Sequence, residues 1–166
     1  MTVARFADLS GIDMETFREA MSRFASGVTI VAATDSTGNH RGFTATAFSS
    51  VSGTPPLVLI CLDKAATCHP HFVESDRYSV SILREEHWDL AKRFASKGDD
   101  KFADDFDIHE IGVAFLPDAL AVLICSAERV IDAGDHTVLL GRVIDVRLGD
   151  GSPAVYYRRK VLEVIG

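Results

Sequence analysis

At 166 residues, 47% hydrophobic and 25% charged, the chain can bury one core, and a single domain over residues 1–166 with its core at about 14–160 is expected. The net charge of −7, from 24 acidic and 17 basic residues without a basic block, argues against nucleic acid or an anionic membrane as partner. No signal pattern opens the chain, no run of about eighteen apolar residues interrupts it, and Cys61, Cys68 and Cys125 leave an odd thiol in any disulfide scheme, all of which points to a soluble cytoplasmic protein.

The first strong periodicity is DMETFREAMSRFASG, where Met14, Phe17, Met21 and Phe24 recur at helical spacing behind Asp13 as N-cap, with Gly27 as a stop. VTIVAAT (28–34) reads as a strand, DSTGNHRG as a turn, and GFTATAFSS as the returning strand, which together make a hairpin. Pro55-Pro56 separates this from LVLICLD (57–63), whose continuous apolar character predicts a strand buried on both faces. A short helical connection around CHPH (68–71) leads to a strand at YSVSILRE (78–85), then a helix at HWDLAKRFASK with Trp88, Ala91, Phe94 and Ala95 on one face. The acidic segment GDDKFADDFDIHEIG reads as loop. ALAVLICSAERVID, a turn at AGD, and HTVLLGRVIDVRLGDG predict two long strands, with Val138, Leu140, Ile144, Val146 and Leu148 sharing a face broken by Arg142. Gly141 in mid-strand suggests a strongly bent antiparallel sheet or barrel.

Neither GxGxxG nor GxxxxGK[ST] occurs, and the last strands follow one another without a crossover helix, so dinucleotide and P-loop folds are excluded. Without GxSxG, acyl transfer has no specific support. CHPH with Cys61 upstream offers zinc-type ligands but lacks a second spaced pair, so no metal is expected. The stretch GFTATAFSSVSGTPP combines many hydroxyls with little bulk. Extended, it would turn Thr44, Thr46, Phe48 and Ser50 one way and Phe43, Ala45, Ala47 and Ser49 the other. Two readings follow: small residues filling a tight barrel, or a strand against which a phosphorylated planar cofactor lies.

The ordered segments RFASGVTIVAA, GFTATAFSSVSGTPPLVLICLDKAAT, YSVSILRE, LAKRFA with KFAD, AGDHTVLLGRV and PAVYYRRK, from about Phe17 to Lys160, resemble the flavin reductase family. In particular they resemble the small reductase components of two-component flavin-dependent monooxygenases. The resemblance implies a mainly β fold with flanking helices, an antiparallel split β-barrel of Greek-key type that binds FMN and assembles as a homodimer. It further implies an NADH-dependent FMN reductase that passes reduced flavin to a partner monooxygenase, with FAD and NADPH as alternative cofactors. By the same resemblance Thr44, Ala45, Thr46, Ser49 and Ser50 wrap the flavin, and Cys61, Leu62, Asp63, Lys64 and Thr67 hold its ribityl and phosphate portions, Lys64 and Thr67 meeting the phosphate. His136 of the GDH motif stands beside the nicotinamide, and Tyr156 or Arg158 edges the pocket. Ser81 occupies a strand position where the family commonly has an asparagine that contacts flavin. A flavin-binding barrel without turnover and a zinc-stabilised interaction domain are the competing readings.

Overall fold

A computed structural model describes residues 11–98, 101, 102 and 104–162. Helix α1 (Met14–Ser22) starts where the sequence places it, because the Asp13 carboxylate accepts from the Thr16 amide at 2.9 Å. It ends earlier than Gly27: Ser26–Gly27 form a short strand, β1, instead. β2 (Thr29–Thr34) and β3 (His40–Ala45) make the expected hairpin. Its turn is organised by Asp35, which accepts from the amides of Thr37 and Asn39 and from the Arg41 Nε. The Thr37 hydroxyl, which also donates to this carboxylate at 2.6 Å, is foremost among the bonds that hold the Asp35 carboxyl well below its usual range.

The returning strand does not run on through Ser50. It breaks at Thr46–Ala47, and β4 (Phe48–Gly53) joins a different neighbour, β5 (Pro56–Asp63). Helix α2 (His69–Glu74), strand β6 (Arg77–Ile82), a 3-10 turn at Glu85–His87 and helix α3 (Trp88–Ala95) follow. The acidic segment is not all loop, since β7 (Asp107–Ile108) and β8 (Ala114–Phe115) pair within it. The long strands β9 (Ala121–Ala133) and β10 (His136–Leu148) come next, and the tail adds β11 (Val155–Tyr157) and β12 (Lys160–Leu162) in a small sheet with β1.

The main sheet has the antiparallel order β3-β2-β6-β9-β10-β5-β4. Residues consecutive in sequence, at the end of β3 and the start of β4, therefore belong to opposite edges, and the sheet must curl until those edges meet. They meet at Thr46–Ala47, where the Cys61 amide donates to the Ala47 carbonyl at 3.0 Å. The barrel is thus split along a seam between β3 and β5, crossed by the low-bulk stretch that stood out in the sequence.

One cluster, with Val31, Phe43, Ile60, Leu62, Phe72, Tyr78, Val80 and Leu139, fills the barrel. A second, with Ile30, Leu83, Phe94, Phe115, Leu116, Val122 and Ile124, lies under α3 and the β7–β8 loop. Strands β2 and β6 are covered on both faces, whereas β5 is not, its Leu57, Leu59 and Cys61 being only half-buried. On β10 the buried residues are Thr137, Leu139 and Gly141, whereas Ile144, Val146 and Leu148 of the expected apolar face are exposed.

Candidate functional site

The seam opens into a cavity of about 570 Å³, within the range of roughly 300–1,000 Å³ typical of small-molecule sites. One wall is Phe43–Ala47, the end of β3 and the crossing segment. The opposite wall is Cys61–Asp63 from β5 and Ala65–Cys68 from the turn before α2. The C-terminal end of α3, Phe94–Lys97, closes a third side together with Lys101, and His136 at the start of β10 completes the lining.

Each wall is fixed by contacts that the local sequence dictates. Thr44 donates its hydroxyl to the Ala91 carbonyl at 2.6 Å, tying β3 to α3. Gly42 lets the two approach, because a β-carbon there would lie 2.6 Å from the Phe94 ring. The turn after β5 is closed by Asp63, whose carboxylate accepts from the Ala65 amide at 2.8 Å and whose carbonyl accepts from Ala66. His136 lies opposite Asp63 in the β5–β10 register, and its Nδ1 is 2.8 Å from the Asp135 carboxylate. That hydrogen bond holds the Asp135 carboxyl below its usual range and leaves the His136 Nε2 uncommitted among the described residues. Burial pushes the Cys61 and Cys68 thiols up, as a dry wall requires.

Of the residues anticipated from sequence, Thr44, Ala45, Thr46, Cys61, Leu62, Asp63, Thr67 and His136 share this cavity. Six others stand apart from it. Ser49 and Ser50 are exposed on β4, beyond the break, where the Ser49 hydroxyl donates to the Ser50 carbonyl. Lys64 turns outward, donating to the Gly134 carbonyl at 2.6 Å and pairing with Asp132. Ser81 lies on the face of β6 opposite Tyr78 and Val80; it is buried and accepts from the Leu116 amide at 3.1 Å, so its hydroxyl secures the β8 segment. Tyr156 packs against Trp88, and Arg158 sits at the β11–β12 turn with its amide bonded to the Ser22 carbonyl.

Lys97 and Lys101 line the cavity without having been singled out in sequence. Lys101 sits in the motif KFAD, but its ordinary surroundings in an acidic run gave no sign that its ammonium is buried. Among the described residues no group of three His, Cys, Asp or Glu side chains is placed to hold a metal ion, and the His69 Nε2 is 2.8 Å from the Thr137 hydroxyl. Nor is any described helix long and apolar enough to cross a membrane. The cavity therefore offers hydroxyls, backbone, small side chains and an ammonium, which suit a flat phosphorylated ligand better than they suit a metal.

Comparison with known proteins gives the same direction. Residues 21–164 match the model of the flavin reductase like domain. The chain is 45% identical over 150 residues to a protein named actinorhodin polyketide dimerase from Streptomyces coelicolor, covering 89% of this chain and 85% of that one. It is 41% identical over 149 residues to an NADH:riboflavin 5'-phosphate oxidoreductase of Streptomyces pristinaespiralis, with 87% and 85% covered. The reductase component of a 4-hydroxyphenylacetate 3-monooxygenase of Thermus thermophilus is 38% identical over 146 residues, with 87% and 93% covered. Among solved structures, the NADH:FAD oxidoreductase SgcE6 of Streptomyces globisporus C-1027, in complex with NAD and FAD fragments, superposes with a TM-score of 0.86 at 32% identity, covering 92% of this chain and 93% of that one.

Proposed function

The chain belongs to the flavin reductase-like family, and from that premise we propose that it is an NADH:flavin oxidoreductase that reduces FMN, or FAD in its place, and hands the reduced flavin to a separate monooxygenase. The observation that carries this reading is the split seam itself. Thr44–Ala47 face Cys61–Asp63 and Ala65–Thr67 across a cavity of about 570 Å³, with His136 at one side.

Bound flavin supplies the ring that accepts a hydride from reduced nicotinamide, and the protein's part is to hold, orient and shield. Ala45 and Ala47 add little bulk, so a flat ring can lie against the backbone of the crossing segment. Thr44 is spent on the Ala91 carbonyl and fixes the wall, while Thr46 and Thr67 remain as hydroxyl partners. His136, oriented by Asp135, borders the space in which the nicotinamide would stack; its contribution is position and exclusion of water.

Assembly as a homodimer is part of the reading. Helix α1 buries none of its residues, leaving Met14, Phe17 and Met21 exposed with Phe24 just beyond its end, and Ile144, Val146 and Leu148 are 51%, 50% and 84% exposed. Apolar surface on this scale calls for a covering partner, and a second copy related by a two-fold axis supplies one.

The test is steady-state oxidation of NADH in air at varied FMN, followed by loss of nicotinamide absorbance. A rate that saturates with flavin supports a dissociable flavin substrate. Absence of any flavin-dependent rate with NADH or NADPH, in a protein that still binds flavin, would leave a binding protein without turnover.

A further inference from the structure

We propose that Lys101 supplies the positive charge that receives the phosphate of the flavin, and that the same ammonium joins β3 to α3 at the back of the cavity. The inference rests on the flavin reading above and assigns its anionic end to a residue that the sequence did not bring forward.

Lys101 is only 9% exposed, yet no carboxylate among the described residues lies within ion-pairing distance of it. Its ammonium donates to two carbonyls, Phe94 at 3.0 Å and Gly42 at 3.4 Å. An ammonium carries three donors, so one remains for a ligand. A buried cation that meets only carbonyls among the described residues is costly, and a bound anion lowers that cost. Lys101 also lines the cavity, and a small adjoining hollow places it beside Thr67 and Cys68. Burial pushes the Cys68 thiol up, and the positive charges of Lys101 and, less, Arg41 on the same hollow partly offset that rise.

An ammonium and a hydroxyl lining one hollow, as Lys101 and Thr67 do, are a matched pair for a phosphate ester. The other lysines compare poorly. Lys97 lines the cavity but is exposed, and Lys64 is engaged outside with Asp132 and Gly134. His136 stands opposite Asp63, at the start of the turn that ends beside Lys101, which separates a nicotinamide end from a phosphate end. The pyrophosphate of the nicotinamide dinucleotide is the other anion that could reach this ammonium, and the experiment must tell the two apart.

Dissociation constants for FMN and riboflavin, read by flavin fluorescence, are compared for the native protein, Lys101→Met, Lys101→Arg and Lys97→Ala, with the apparent KM for NADH measured alongside. The expected result is FMN binding weakened about ten- to a hundredfold in Lys101→Met, since a charge-assisted hydrogen bond carries about 1.5–3 kcal/mol. Riboflavin binding should stay within about twofold, Lys101→Arg should recover part of the loss, and the KM for NADH should hold. Equal losses for FMN and riboflavin would make Lys101 a purely structural tie and overturn the phosphate role. A raised KM for NADH with unchanged FMN binding would assign the charge to the nicotinamide dinucleotide and overturn it too. Should Lys101→Met fail to fold, the native protein still decides, because equal native affinity for FMN and riboflavin, or FMN affinity insensitive to added salt, excludes a charged phosphate partner. If neither flavin binds the native protein, the flavin reading itself falls, and this inference with it.

Discussion

The hydroxyl of Tyr78 occupies the space that a β-carbon on Gly141 would need. The Tyr78 Cζ is 2.7 Å from that position and the Cys125 β-carbon 3.1 Å, so the mid-strand glycine of β10 is where the barrel admits a large ring from β6. The Tyr78 hydroxyl is buried with no hydrogen-bond partner among the described residues, and burial pushes its ionisation far above the usual range. Gly141→Ala should therefore destabilise the fold by about 1–3 kcal/mol through overpacking. Tyr78→Phe removes an unpaired hydroxyl and should be neutral or mildly stabilising. Combined, the two should recover much of the alanine's cost, which urea unfolding of all four proteins measures. Additive effects would show that the ring and the glycine are not coupled.

How much of this was legible in sequence follows from which interactions are local. The Asp13 cap, the Asp35 turn and the hairpin around it rest on residues within a few positions of one another, and the sequence shows them directly. The break at Thr46–Ala47 depends on β4 pairing with β5, at the far edge of the sheet, and no period-2 pattern could reveal it. The outward turn of Lys64 is set by the β9–β10 turn, about seventy positions away, and the burial of Lys101 by the carbonyls of Gly42 and Phe94. Residue types left two readings of the low-bulk stretch open; only the closure of the barrel puts Lys101 on the cavity wall and turns Lys64 away from it.

Lys64 gives the complementary prediction. Its pair with Asp132 involves side chains 36% and 84% exposed, and such surface pairs contribute about 0–1 kcal/mol. Lys64→Ala should leave the ratio of FMN to riboflavin affinity unchanged and the unfolding midpoint nearly so. A selective loss of FMN affinity would bring Lys64 back to the phosphate.

The exposed apolar surface predicts the oligomeric state. Light scattering should report a dimer. Ile144→Asp or Val146→Asp places a carboxylate within the apolar patch, and either should shift the protein toward monomer, with turnover falling in step with the dimer. A native monomer that turns over at full rate would show that this surface serves something else.

The cysteines predict a footprint of the site. Burial pushes the Cys125 thiol up to about 12, and the Cys68 thiol is raised as well. The thiolate is the reactive species, so both should resist alkylation in the folded protein. Cys61 is half-buried on the cavity wall and should be labelled slowly at alkaline pH. Saturating FMN should suppress that labelling, as mass spectrometry of the modified peptides would show. Undiminished labelling of Cys61 would place the flavin elsewhere.

His136 separates the two halves of the site. It lines the cavity with 43% of its side chain exposed, so it is accessible to a second ligand and contributes little to the core. If it orients the nicotinamide, His136→Ala should lower the efficiency of NADH use about five- to a hundredfold, equivalent to roughly 1–3 kcal/mol, while the FMN dissociation constant stays nearly unchanged. Asp135→Asn should have a smaller effect in the same direction, because it removes the charge that orients the imidazole without removing the ring. A histidine with only a structural role behaves otherwise: its loss lowers the unfolding temperature and weakens both ligands together. Stopped-flow reduction at saturating FMN, set beside a thermal melt of each variant, distinguishes these outcomes. Unchanged reduction kinetics in His136→Ala would remove the residue from the nicotinamide side.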